Sequence, residues 1–318
     1  MCWEIIVGKY TLGLIEKVEI TRSVELLSDI ATIVLPATSY NTVLGEEKKI
    51  KRGDIVSISL GYDDVLVKEF NGFVQSISTD GGSFTLHCED SLYQYRKALP
   101  NIELINPTLK DIINYVHKTI TGFTVDCDYE WSYEKFVFQN MTGYDVLSKI
   151  QKEANPNIYL KGNVLHIHPK YIQIFGTANY DFAINIDSVG TDLKYKLAND
   201  RVLLVTVKSQ KPDGTDISGQ YGKAGGDETT VTIPGVYDVA SLTAKAKAMY
   251  DTKVFTGYEG SFTSWLIPFC DAGYKATVND DDFPEKSGDY YISEVKVEFS
   301  SAGGKRIIKL TKQLSKNG

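Results

Sequence analysis

The sequence predicts a mainly β protein in which two β modules flank a small α/β unit. Three observations carry that prediction. Short alternating apolar and polar runs, broken by Gly, Pro and Asp, fill residues 3–90 and return from about residue 178. The chain holds 20 tyrosines against 3 methionines, with many Val, Ile and Thr, a composition that favours sheet over helix. Apolar residues at helical spacing gather between residues 91 and 154. At 318 residues, 42% hydrophobic and 24% charged, the chain is made like an ordinary soluble protein of two or three domains.

The first β module reads as six or so strands without a helix, a small barrel or sandwich. "WEIIVGKYTLGLIEKVEITRS" gives two short strands around Gly8, and "DIATIVLP" a third, ended by Pro36 because proline cannot donate to a ladder. In "DIVSISLGY" Val56, Ile58 and Leu60 share one face and Ile55, Ser57 and Ser59 the other. "VKEFNGFVQSIST" and "SFTLHCED" form a hairpin on Asp80-Gly81-Gly82.

The character changes near residue 91. In "NPTLKDIINYVHKTI" Leu109, Ile112, Ile113, Val116 and Ile120 line one helical face, and Thr108 with Asp111 forms a capping box. A second helix, "MTGYDVLSKIQKEAN", is capped by Thr142 and must stop before Asn155-Pro156. "NIYLKGNVLHIHP" is a hairpin on Lys161-Gly162-Asn163. Strands then resume, with a Pro-Asp-Gly turn, a glycine-rich and mobile "SGQYGKAGGDE", and an alanine-rich helix capped by Asp238 or Ser241. The chain thus divides into a first β-barrel at residues 1–91, an α/β insertion at 92–177, and a second β-barrel at 178–318 with a helix near 239–251.

The formal net charge of −7 argues against a general nucleic-acid binder, which carries a basic surplus, but not against a surface past which nucleic acid slides. Cysteines 2, 88, 127 and 270 form no Cys-x-x-Cys pair and read as isolated, reduced thiols of a protein made in the cytoplasm. "MCWEIIVGKY" lacks the basic and then apolar pattern of a signal peptide, and no apolar run approaches the roughly 18 residues needed to span a bilayer, so no membrane insertion is expected.

The two β modules look alike. "KRGDIVSISLGYDD" matches "DAGYKATVNDDDF", each a Gly before an alternating strand and an acidic turn. "NGFVQSISTDGGSFTLHCED" matches "GDYYISEVKVEFSSAGGKRIIKLTK", each a Gly, an aromatic strand, a Gly-Gly turn and a return strand. Three copies of a chain with two similar barrels can present six, so a three-fold ring could dock on a six-fold one.

Four stretches in this order, "KIKRGDIVSISLGYDDVLVKEFNGFVQSIS", "TLKDIINYV", "TGYDVLSKIQKEANPNIYLKGNVLHIHP" and "DAGYKATV…GDYYISEVKVEFSSAGGKRIIKL", resemble the baseplate hub proteins of phage tails. These are related to the late control protein D of contractile phages and to the first part of type VI secretion spike proteins. The resemblance implies a structural, non-enzymatic protein with tandem tube-type β-barrels, assembled as a homotrimer in the virion baseplate. Its implied partners are the tail tube or distal tail protein on one side and a spike or tail-tip protein on the other. DNA or tape-measure protein would pass through its lumen. The sequence ends at "LTKQLSKNG" directly after the second barrel, so a spike or wall-degrading activity is expected of another chain.

No residue pattern in the chain matches a known catalytic or metal-binding motif. His166-x-His168 puts two imidazoles on one strand face, but no third ligand is near in sequence, and only His87 and Cys88 are conceivable donors. Asn279-Asp280-Asp281-Asp282 lacks the alternating ligands of a calcium loop. "GQYGKAGG" and "AGGKR" are not phosphate-binding loops. His87 and Cys88 point to opposite strand faces and cannot act as a nucleophile–base pair. Glu130 beside Trp131 is the most tempting acid for a peptidoglycan hydrolase, the alternative reading along with a tail endopeptidase or a glycan-binding module, and reads better as a loop acid next to a packed aromatic. No catalytic, cofactor or metal residue is therefore named, and no sequence-specific nucleic-acid contact. The candidate interface residues are Tyr62, Asp63 and Asp64 in the first acidic turn, Asp280 and Asp281 in the second, and Lys223 in the glycine-rich loop.

Overall fold

The computed structural model describes residues 1–36, 49–80, 83–186, 190–211 and 213–316. The expected Gly81-Gly82 turn lies outside them. The first module contributes β1 (Cys2–Val7), β2 (Tyr10–Thr11), β3 (Lys17–Ser23), β4 (Ile30–Leu35), β5 (Ile55–Tyr62), β6 (Val65–Asp80) and β7 (Ser83–Glu89). In β5 the alternation holds: Val56, Ile58 and Leu60 are buried.

The middle of the chain carries β8 (Ile102–Ile105), α1 (Leu109–Thr119), β9 (Thr124–Cys127), β10 (Lys135–Phe138), α2 (Gly143–Ala154), β11 (Asn157–Lys161) and β12 (Val164–His168). Both helices start with complete capping boxes, Thr108 with Asp111 and Thr142 with Asp145. Asn155 ends α2 in the left-handed conformation, ahead of Pro156. β9 lies parallel to β12, which pairs antiparallel with β11, and the helices cover this sheet through Ile112, Ile113, Leu147 and Ile150.

The last part comprises β13 (Thr177–Asp181), β14 (Lys194–Lys196), β15 (Leu203–Gln210), β16 (Asp216–Gly222), β17 (Asp227–Thr232), α3 (Val239–Lys253), β18 (Gly257–Trp265), β19 (Lys275–Asn279), β20 (Gly288–Ser300) and β21 (Gly303–Lys316). Asp238, not Ser241, caps α3, accepting from the amides of Ala240 and Ser241. Much of the stretch expected to be a mobile loop lies in strands: "SGQYG" ends β16 and Asp227 opens β17, with residues 223–226 as the turn between them. Two of its glycines pack against α3: a Cβ at Gly219 would sit 2.3 Å from the amide nitrogen of Thr243, and one at Gly222 would sit 3.0 Å from the Tyr250 ring. β15, β16, β17 and α3 have a core of their own around Leu203, Val205, Val207, Leu242 and Ala246.

The repeat is visible in the topology. The neighbours β3-β4-β7-β6-β5 and β14-β18-β21-β20-β19 follow one another in the same chain order and the same spatial order. Gly53 and Gly273 each enter with positive φ, 90° and 84°. The amide of Gly53 donates to Val74 O and that of Gly273 to Ile292 O, while Val74 and Ile292 donate back to Asp54 O and Tyr274 O. The register then shifts between Val74 and Ser76 against β7, and between Ile292 and Glu294 against β21.

The modules are not separate. β3 ladders onto β20, with Ile20 opposite Val297 and Val18 opposite Phe299, so one thirteen-stranded sheet runs through both. A single core follows it, from Ile5 and Val56 to Ile308 and Leu310. Among the described residues no sheet closes on itself, so in place of the two closed barrels expected the mainly β architecture has one open thirteen-stranded sheet and three small ones.

Lys245 of α3 is 5% exposed; its ammonium donates to Tyr129 Oη at 2.8 Å and lies 4.8 Å from the Trp131 ring centre. Burial, with Lys170 adding repulsion, pushes it down to about 7 from its ordinary 10.5. The unfolded chain then holds this proton up to about pH 10.5 and the folded chain releases it above about 7, so the unfolded state binds more protons in that window and stability rises with pH. Lys245→Met is expected to raise the denaturation midpoint at pH 7 and to flatten the rise between pH 7 and 10.5 relative to the parent, read by urea unfolding at several pH values.

Candidate assembly site

The join between the modules is held from inside by charge. Against β5, Ile58 pairs with Phe70 and Ser59 with Lys68, which leaves Glu69 as the extra residue of a β-bulge. The bulge turns its carboxylate inward, where it is 3% exposed. Two guanidiniums meet it there, from Arg22 on β3 and Arg306 on β21. Arg306 donates to Glu69 Oε1 at 2.7 Å, Glu69 Oε2 at 3.2 Å and Leu266 O at 2.9 Å. Arg22 donates to Glu69 O and Oε2, both at 3.0 Å, and to Cys270 O at 3.2 Å. Phe269 lies 5.4 and 5.2 Å from the two guanidinium carbons.

A second acid extends the network. Arg22 Nε lies 3.2 Å from Asp271 Oδ1, and Lys161 Nζ lies 2.6 Å from Asp271 Oδ2. Burial works against the Asp271 charge, but Arg22 and Lys161 outweigh it and hold its carboxyl below the usual range. Three cations and two carboxylates thus tie β3, β6, β21, the 266–271 segment and the α/β unit together.

Three of the predicted residues, Tyr62, Asp63 and Asp64, lie at the β5–β6 turn beside this join. Asp63 and Asp64 are exposed and both left-handed, φ 49° and 63°, forming a two-residue hairpin turn. Beside them Tyr62 donates to Gly304 O at 2.7 Å, fastening the β5–β6 turn to the β20–β21 turn. Trp3, Val65, Leu66 and Trp265 are exposed on strands ending near this contact, Trp265 to 66%. Asp281 and Lys223 are exposed elsewhere. Asp280 is 6% exposed, and its carboxylate accepts from the amides of Asp282 and Phe283, so it holds the acidic turn from within.

The residues weighed for chemistry disperse, with one exception. His87 meets the Ser78 hydroxyl at 3.1 Å and Cys88 is buried in the core. Glu130 is exposed, and Trp131 packs between the α/β and β15–α3 cores. Tyr95, Tyr180, Tyr290 and Tyr291 are fully buried, so much of the aromatic content fills cores. The exception is His166 and His168. A third donor, Asp126 of β9, distant in sequence, stands opposite His166 across the parallel β9–β12 ladder, which corrects the expectation that only His87 and Cys88 are conceivable donors.

Glu69→Gln removes one charge from between two buried guanidiniums and is expected to cost about 3–5 kcal/mol, the usual loss when a buried ion pair is broken from one side. Chemical denaturation measures it, and a cost under about 1 kcal/mol would show the carboxylate to be dispensable.

No family model matches the chain, and no curated protein does. Solved structures do. A 43 kDa tail protein of prophage MuSo2 from Shewanella oneidensis superposes with a TM-score of 0.66 at 15% identity, over 98% of this chain and 96% of that one. A tail protein from Neisseria meningitidis gives 0.67 at 14% identity, over 98% and 96%. An E. coli component of the type VI secretion system gives 0.60 at 10% identity, over 99% and 78%. These superpositions over nearly the whole of this chain show that it has a fold shared by phage tail proteins and a type VI secretion component.

Proposed function

We propose that this is a structural protein of a phage-type tail, and that three copies close a ring of six β modules between a six-fold tube and a three-fold tip. The observation that carries the proposal is the join of the two modules within one chain. β3 of the first module docks on β20 of the second. Their equivalents are β14 and the far half of β6. Among the described residues β14 pairs only with β18, and beyond Val74 β6 pairs only with β7. Unpaired strand edges are templates for another chain. If one copy's β14 docks on the next copy's β6, the internal join is repeated between chains, and three such contacts close a ring.

The ladders fix the register. Val74–Cys88–Ala31 and Ile292–Leu310–Gly260 are equivalent rows across the two modules. One step along, Ile30 faces Thr21 and Glu259 faces Lys194. Within the chain Thr21 stands opposite Lys296, whose equivalent four residues past Ile292 is Ser78. Lys194 of one copy therefore faces Ser78 of the next.

In this ring the proposed partners are a tail-tube or distal tail protein, a spike or tip protein, and the tape-measure protein or DNA in the lumen. The net charge of −7 suits passage without capture of phosphate. Asp63, Asp64 and Asp281, on turns held by Tyr62 and Asp280, and Lys223, between β16 and β17, are proposed contacts with neighbouring tail proteins. The protein acts by symmetry matching and not by catalysis, in the virion baseplate.

The double variant Lys194→Cys/Ser78→Cys tests this reading. Oxidation is expected to give a covalent trimer of three times 35.4 kDa on a non-reducing gel, with neither single variant doing so. A trimer of that mass by light scattering that fails to cross-link would overturn the β14–β6 contact. A chain that stays monomeric alone and with its tail-tube protein would overturn the ring.

A further inference from the structure

We propose that Asp126, His166 and His168 form a zinc site with its fourth position open to solvent. The three donor atoms form a nearly equilateral triangle. His166 Nδ1 lies 3.2 Å from Asp126 Oδ2 and 3.2 Å from His168 Nε2, and His168 Nε2 lies 3.4 Å from Asp126 Oδ2. Ligands bound at about 2.0–2.1 Å around a tetrahedral zinc stand about 3.3–3.4 Å apart, so the triangle has the edge length of one face of that tetrahedron.

The protons point the same way. His168 Nδ1 lies 2.5 Å from Asp128 Oδ1, which places the hydrogen of the neutral ring on Nδ1 and leaves Nε2 as a lone pair. That lone pair faces the Asp126 carboxylate, acceptor against acceptor. His166 Nδ1 can offer one hydrogen to the two of them. A cation at the centre of the triangle satisfies all three atoms together. The Asp128–His168 contact is also the carboxylate–histidine pairing that orients an imidazole toward bound zinc.

The fold supplies the rigidity such a site needs. Both histidines are on β12 two residues apart, hence on one face, and Asp126 pairs directly with His166. The Tyr159 ring stacks on His166 at 5.4 Å, and Phe175 meets it edge-on at 5.2 Å. His168 is 1% exposed, whereas the Asp126 side chain is 54% exposed, so entry and the open position lie on the carboxylate side. Two imidazoles are borderline donors and the carboxylate a hard one, a set that suits zinc, whereas calcium and magnesium take oxygen ligands throughout. Bound zinc would fasten β9 to β12.

Chelator-stripped protein titrated with zinc against a chromophoric competitor tests the site. One ion per chain is expected, with cobalt giving the intense visible absorption of a tetrahedral centre. Asp126→Asn and His168→Ala should each lose at least 100-fold in affinity, and Asp128→Asn 10–100-fold as the orienting residue. Zinc should raise the melting temperature of the parent and leave that of Asp126→Asn unchanged. Asp126→Asn alters an exposed side chain, so that comparison stands even if His168→Ala does not fold. Less than one ion per chain at micromolar zinc, an octahedral cobalt spectrum, or variants that bind like the parent would overturn the proposal and leave a hydrogen-bonded cluster.

Discussion

The structure depends on a ladder between residues nearly three hundred positions apart in sequence. β3 and β20 pair over seven residues, and beneath them Glu69 neutralises part of the charge of Arg22 and Arg306. Placing two guanidiniums in an apolar core is unfavourable unless each is paired and hydrogen-bonded. Here each meets the same carboxylate and main-chain oxygens of the 266–271 segment. The apolar pairs Ile20–Val297 and Val18–Phe299 supply attraction, while the ionic cluster makes other registers costly by stranding a charge.

That join gives the duplication its meaning. Two copies of a module on a flexible linker would be two domains. Two copies bonded edge to edge share one sheet, and the proposed ring repeats that same internal contact between chains. The insertions do not disturb this. The α/β unit departs after β7, and the β15–α3 layer departs between β14 and β18 and folds around its own core.

Much of this was legible in the residues. The capping box at Thr108, the cap at Thr142, the end of α2 before Asn155-Pro156 and the alternation in β5 are local rules, and local rules act through neighbours in sequence. The repeat was legible too, because a positive-φ glycine before an alternating strand leaves a mark in one dimension. What escaped depends on distant pairing. Strict alternation sends Glu69 outward when Phe70 is inward, and only the bulge against β5 reverses it. Asp126 lies forty residues from His166, and only the parallel ladder between β9 and β12 brings them together. The glycines of β16 read as a mobile loop because the helix that packs on them is not their neighbour in sequence. Asp280 reads as a surface acid because its amide partners are set by a turn.

Native-state hydrogen exchange tests the central claim, that first and last strands are one cooperative unit. If they are, amides of Lys17–Ser23 and Gly288–Ser300 will open with the same free energy, equal to that of global unfolding. Earlier opening of Lys17–Ser23, while Gly288–Ser300 stays protected, would mean two independent modules in contact and would contradict the account.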